Sequence, residues 1–376
     1  MNPAVLLLAL FLGHGLGLSP APALGADRVD FETPPNHGGF WSFAYSPNDR
    51  WVAGGTGIVT ITITTDGSSS TSGGELIVWD AKTGAVIKNF GEHGETVDFV
   101  AFSADGKTLV SASSYRIDNT PHGPPLVRVW DLRRSKLLRE ITPSGCAFLK
   151  PQLTTDGKSL VWVCHSQDTV PKGEVRKPGK IEVWDVKRGK TRWSHDKVSA
   201  SCFAISPDGK TIIADYTDRD AEGKRLSRGL IAWNLATGDD RWRVEFNNSG
   251  YYPPKKIIFL PAGGTFLTVN KKEITRWAVA DGSRGDRFSL DWKSTPNEVA
   301  VDSAGKKIVI TAFMGKELGV WRLSDGKRLS KMTFEFPETI KDVCFSSNLT
   351  LVAGDVPGEN DRFGLTPPGI IAIDCN

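Results

Sequence analysis

The sequence is short of the residues that carry most protein chemistry. It has five cysteines, Cys146, Cys164, Cys202, Cys344 and Cys375, with no CxxC pair. That sets aside zinc ribbons and dithiol redox motifs. All five fall in or beside strand-like runs, where a free cysteine packs as a small hydrophobe, and spacing assigns no disulfide. The six histidines show no metal-ligand spacing, and no HExxH, GxSxG or Walker sequence occurs, so the zincin, α/β-hydrolase and P-loop chemistries have no foothold. Charge of one sign is also missing. With 46 basic and 43 acidic side chains and a net charge of +3, no nucleic-acid footprint stands out. No catalytic residue, cofactor ligand or metal ligand is assigned, and no helical periodicity appears anywhere.

The longest apolar run lies at the start. In MNPAVLLLALFLGHGLGLSPAPALGADR, the stretch from Ala4 to Leu12 is followed by small residues. This pattern reads as a secretory signal peptide over residues 1–26, with cleavage after Ala23 or Ala26. Gly13, His14 and Gly15 interrupt the run well short of the ~20 apolar residues a spanning helix needs. The expected location is therefore secreted or periplasmic, with no membrane span once the signal is cleaved; an uncleaved anchor is the alternative.

From residue 27 onward the chain repeats itself. ELIVWD, LVRVWD and KIEVWD are period-2 alternations that end on Trp79-Asp80, Trp130-Asp131 and Trp184-Asp185, and the pattern continues at Trp233, Trp277, Trp321 and finally Ile373-Asp374. That makes seven units, 44 to 54 residues apart. Polar turns such as AKTGA, LATGD and LSDGK follow these anchors, and a second turn recurs upstream as SPNDR, SADGK, TTDGK and SPDGK. Each turn sits between two apolar strands and closes a hairpin. Four strands per unit at this period define a radial repeat.

The repeated Trp-Asp plus SPDGK combination resembles the WD40-repeat family over nearly the whole chain after the leader. The resemblance implies an all-β, seven-bladed β-propeller of four-stranded antiparallel blades over residues 27–376. Because the last unit ends on its third strand, RVDFET, Arg28 to Thr33, is the expected donor of the missing strand. The ring would then be closed by the N-terminal strand. The family's buried His, Ser/Thr, Asp and Trp network has counterparts at His37, His93 and His195 and at Ser111 or Ser113, while insertions stand where its Asp turn belongs.

Those insertions, between the second and third strands, are long in units seven, one, two, three and four, and short in five and six. They form a contiguous crescent on one face. Loops held by a rigid scaffold are where binding residues usually sit, so candidate partner-binding residues are taken from this face: Tyr115, Arg176, Lys177, Asp218, Asp220 and Phe363 from the insertions. Tyr251, Tyr252 and Trp292 come from the connections between units. They are aromatics of the type enriched at interface hot spots. The run DRDAEG, Asp218 to Gly223, starts like a calcium loop but has Gly229 where the closing Glu belongs.

The expected function is a non-catalytic, monomeric scaffold that holds a protein partner on the crescent. Cell-envelope glycan, stacked on Tyr251, Tyr252 and Trp292, is one alternative. The other is an enzyme, because AWNLATGDDRW, Ala232 to Trp242, and more weakly VWDVKRGKTRW, Val183 to Trp193, resemble the tryptophan-docking motif of quinoprotein propellers. In that resemblance Trp193 and Trp242 dock blades, which is a structural role.

Overall fold

The computed structural model describes residues 39–60, 70–72, 74–94, 96–113, 125–143, 148–165, 179–196, 198–219, 224–246, 253–292, 294–312, 317–333, 340–345, 350–355 and 370–374. Blade one comprises β1 (Gly39–Tyr45), β2 (Trp51–Thr60), β4 (Glu75–Asp80) and β5 (Val86–Glu92), with β3 (Ser70–Ser72) paired to the far end of β2. Blade two is β6 (Phe99–Phe102), β7 (Thr108–Ser113), β8 (Leu126–Asp131) and β9 (Lys136–Ile141), and blade three is β10 (Phe148–Leu153), β11 (Ser159–His165), β12 (Lys180–Asp185) and β13 (Lys190–Asp196). In blade four the strands are β14 (Phe203–Ile205), β15 (Thr211–Arg219), β16 (Arg225–Asn234) and β17 (Asp240–Glu245). Blade five contains β18 (Lys256–Phe259), β19 (Thr265–Val269), β20 (Glu273–Ala278) and β21 (Arg284–Ser289). Blade six contains β22 (Pro296–Val301), β23 (Lys307–Ala312), β24 (Glu317–Arg322) and β25 (Arg328–Thr333). A three-stranded sheet follows, β26 (Ile340–Phe345), β27 (Thr350–Asp355) and β28 (Ile370–Asp374). Every strand pairing is antiparallel and, apart from β2 with β4, joins consecutive strands, as hairpin chemistry dictates.

The local reason for this order lies in two turns. Between strands one and two of blade two, Ser103 Oγ donates to Asp105 Oδ1 at 2.7 Å and accepts the Thr108 amide at 3.0 Å, and Gly106 takes a φ of 64° that closes the bend. Ser206 and Asp208 repeat this in blade four. After strand three, the Asp of the Trp-Asp pair accepts backbone amides of its own turn: Asp80 those of Lys82 and Thr83, Asp131 that of Arg134, Asp185 that of Arg188. The acid of the repeat is thus an Asx-type turn cap. These amide bonds, with the Thr83 amide foremost, hold the Asp80 carboxyl below its ordinary value.

The tryptophans build the core. Trp79, Trp233, Trp277 and Trp321 are fully buried, Trp130 nearly so, and Trp184 is half-buried. Clusters form between sheets: Val161, Val163, Ile181 and Val183 of blade three meet Phe203, Ile212, Ile231 and Trp233 of blade four. Leu267, Ile274 and Trp292 likewise meet Ile308, Ile310 and Trp321 between blades five and six. Truncating a buried Trp to Ala costs about 3 to 5 kcal/mol, so each interface rests on a few large side chains. Innermost strands lie side by side, β1 with β6, β6 with β10, β18 with β22 and β22 with β26. They are stitched by polar contacts, among them Ser42 Oγ accepting the Val100 amide and a 2.6 Å Lys256–Glu298 pair.

The outcome is an all-β propeller with six blades, not the seven that repeat counting predicts. Units one to six each complete a four-stranded antiparallel blade, whereas unit seven forms a sheet of three strands. There Ile373 stands where the anchor Trp stands in the other units, and among the described residues the sheet holds β26, β27 and β28 alone. Nor is the ring closed by the N-terminal strand. The first described strand, β1, belongs to blade one through β2, and among the described residues β28 pairs with β27 alone. Residues 28–33 lie outside the described residues. The two ends of the repeat array instead meet face to face, β1 against β26 and β27.

Candidate functional site

Among the described residues, the face that carries the connections between second and third strands is built out at two places. In blade one, β2 runs on to Thr60 and pairs with β3 through Ile58↔Ser72, Val59↔Thr71 and Thr60↔Ser70. In blade four, the β15–β16 ladder extends through Tyr216↔Gly229, Asp218↔Ser227 and Arg219↔Arg225, with a bulge between Asp218 and Arg219. The unit-four insertion is therefore largely a prolonged β-hairpin. Leu226, in β16 beside that bulge, is 64% exposed.

One side-chain cluster fixes this hairpin. Arg243, on the outer strand β17, lies over the Tyr216 ring at 4.6 Å and reaches Asp218 Oδ2 at 3.2 Å. Ser227 Oγ donates to the same Asp218 oxygen at 2.9 Å. Burial pushes the Tyr216 phenol up, opposed by its Ser227 hydrogen bond and by the Arg243 charge. Gly229 sits where no Cβ fits, since an added Cβ would lie 2.9 Å from Tyr216 Cε1 and inside contact distance of the Val244 carbonyl oxygen. Just below, buried Asp215 accepts the Ser201 and Cys202 amides at 2.7 Å and the Ser201 hydroxyl at 2.8 Å, which ties the entry to blade four onto the hairpin. Burial raises the Asp215 carboxyl, with the Cys202 and Ser201 bonds acting against it.

Of the residues singled out from sequence, Asp218 is in this cluster, half-buried rather than free in solvent. Asp220, Tyr115, Arg176, Lys177, Tyr251, Tyr252 and Phe363 lie outside the described residues. Trp292 is not an exposed aromatic. It is 7% exposed and packs edge-on against Trp321 at 5.2 Å, in space left by Gly319. Tyr216, Ser227 and Arg243 were not expected, because Tyr216 on β15 and Arg243 on β17 meet across the intervening strand β16, which alternation alone does not reveal.

The buried network appears in blade two. His93 Nε2 lies 2.7 Å from Ser111 Oγ, which accepts Trp130 Nε1–H at 2.8 Å. Ser111, rather than Ser113, joins the network. Burial, with the Arg128 charge second, pulls the imidazole down to about 3. His195 serves differently: it stacks on Trp233 at 5.6 Å and contacts the Gly238 carbonyl at 2.7 Å. His37 lies outside the described residues.

Trp193 and Trp242 do dock blades. Each projects from a fourth strand onto the next blade's turn, donating to the Leu235 and Val279 carbonyls at 2.8 Å and covering Gly238 and Gly282. Arg139 on Gly189 and Phe288 on Gly326 fill the same seat in neighbouring blades. Among the described residues, no group of three or more His, Cys, Asp or Glu could hold a metal ion. Cys164 is disulfide-bonded rather than a free packed thiol, and Cys202 is free and buried.

These features define the molecule as a β-propeller of four-stranded antiparallel blades. No protein-family model matches the chain, and no curated protein sequence matches it.

Proposed function

We propose that the chain is a non-catalytic, WD40-like binding module that works as a monomer and holds a protein partner on the loop-rich face, in a secreted or periplasmic setting. The observation that carries this reading is the extension of β2, paired with β3, in blade one and of β15 with β16 in blade four on that face, with Leu226 exposed on the braced hairpin. A rigid ring that spends extra backbone on one face positions a recognition surface. The His93, Ser111 and Trp130 contacts support kinship with WD40 repeats. The disulfide at Cys164 supports an oxidising compartment, where such bonds persist. Burial of Trp292 weighs against a glycan platform built on that residue. Docking of Trp193 and Trp242 onto turns gives the quinoprotein-like motif a structural role here.

The test is to replace residues 217–228 by a tight turn and to crosslink the variant in envelope extract. Melting cooperativity should persist, because the blade core does not include the tip, while the crosslinked partner seen with the parent chain disappears. Undiminished capture by a folded variant would move the site away from this face.

A further inference from the structure

We propose a second interaction surface, on the outer rim of blade two, that takes an acidic, apolar segment of a partner protein. The strip runs from Arg133 to Glu140 and lies beside the turns that join strands three and four, the opposite side from the loop-rich face. Its origin is a register shift. Trp130 pairs with Leu137 and Val129 with Arg139, so Leu138 is an extra residue turned outward by a bulge. Leu137 and Leu138 are 37% and 45% exposed. The corresponding bulge residues are Ile87 in blade one, Arg192 in blade three, Arg241 in blade four and Leu329 in blade six, so an exposed aliphatic side chain recurs at this position, and blade two differs in setting a second exposed leucine, Leu137, directly beside it.

Charge then selects the occupant. Four cations, Arg133, Arg134, Lys136 and Arg139, fall within the strip, and its acids are already engaged: Glu140 with Arg128 at 2.9 Å, Asp131 with Arg134 at 3.3 Å. Among the described residues Arg133 and Lys136 have no ion-pair partner. A cleft lined by Lys107, Thr108, Asp131, Arg133, Arg134 and Leu138 opens at this strip. An apolar side chain entering that cleft would bring flanking carboxylates to Arg133 and Lys136. Concavity favours a polypeptide segment over a flat anionic bilayer, and complementary charge governs its on-rate and specificity.

The experiment uses the full chain and two fluorescein-labelled probes, Asp-Leu-Glu-Leu-Asp-Glu and its Lys-substituted counterpart, alongside vesicles containing phosphatidylglycerol. The acidic probe should bind and the basic one should not, with affinity falling as salt rises. The double variants Arg133→Glu with Lys136→Glu, and Leu137→Ser with Leu138→Ser, should each weaken binding by about tenfold or more at an unchanged melting temperature. Equal binding by the charge-reversed variant, no binding by the parent, or binding of vesicles without the peptide would each overturn the proposal. Because the strip lies off the loop-rich face, trimming residues 217–228 leaves this binding intact, which separates the two readings.

Discussion

The Trp193 indole of blade three donates to the Leu235 carbonyl of blade four at 2.8 Å and covers Gly238 of the same turn. Gly238 holds a φ of 83°, and a Cβ there would lie 2.9 Å from Trp193 Cδ2. Gly238→Ala therefore meets two obstacles, a left-handed backbone costing about 1 to 2 kcal/mol and displacement of the indole. Trp193→Ala, at a half-buried site, should cost about 2 to 3 kcal/mol, below the range for a fully buried Trp. Urea denaturation of both single variants and the double variant should show strong non-additivity, because each change removes the same contact.

Ser111→Ala leaves the Trp130 indole N–H and His93 Nε2 facing each other's vacancy in a dry interior. The expected loss is about 1 to 3 kcal/mol, measured by chemical denaturation. Ser113→Ala should be close to neutral by the same measure, since Ser113 Oγ has no hydrogen-bond partner among the described residues.

His93 also gives stability a dependence on pH. The unfolded chain takes up a proton below about 6.5, whereas the folded blade resists it until about 3. The contribution is therefore intact above about 6.5 and is lost as pH falls through that window, at up to about 1.4 kcal/mol per pH unit. His93→Gln should flatten this part of the stability profile. A slope unchanged between neutral pH and about pH 5 would assign the dependence to other groups.

Ser135 occupies, with a φ of 48°, the turn position that is glycine at Gly84, Gly189, Gly238, Gly282 and Gly326. Ser135→Gly should stabilise the protein by up to about 1 kcal/mol, the left-handed penalty being offset in part by unfolded-chain entropy. Calorimetry should show a raised melting temperature.

Gly229→Ala cannot be accommodated without moving the Val244 carbonyl or Tyr216. The outcome should be local: amide exchange in residues 216–219 and 225–229 rises, and the Tyr216 and Arg243 contact is lost. Protection in blades one to three should be unaffected, since sheets open as separate cooperative units.

Much of the blade was legible because its determinants are local. Asp80, Asp131 and Asp185 cap turns two to three residues away, and Ser103 with Asp105 closes a bend within five residues. The docking pair Trp193 and Trp242 was legible too, since each follows a Gly-containing turn at fixed spacing.

What failed was long-range. Seven repeats were countable, yet a blade needs four strands in register, and unit seven assembles three. Trp292 reads as a surface aromatic until Gly319, 27 positions later, leaves room for its ring against Trp321. Asp218 reads as a solvated or calcium-loop acid until Arg243 arrives from β17.

The sequence by itself determined the strands, their turns and the tryptophans that face inward, because alternation and turn hydrogen bonds act over a few residues. Only the tertiary structure decided how many blades are complete, which aromatics are covered, and which leucines a bulge turns outward. Those outcomes depend on surfaces and register shared between strands distant in the chain, whose pairing no local pattern encodes.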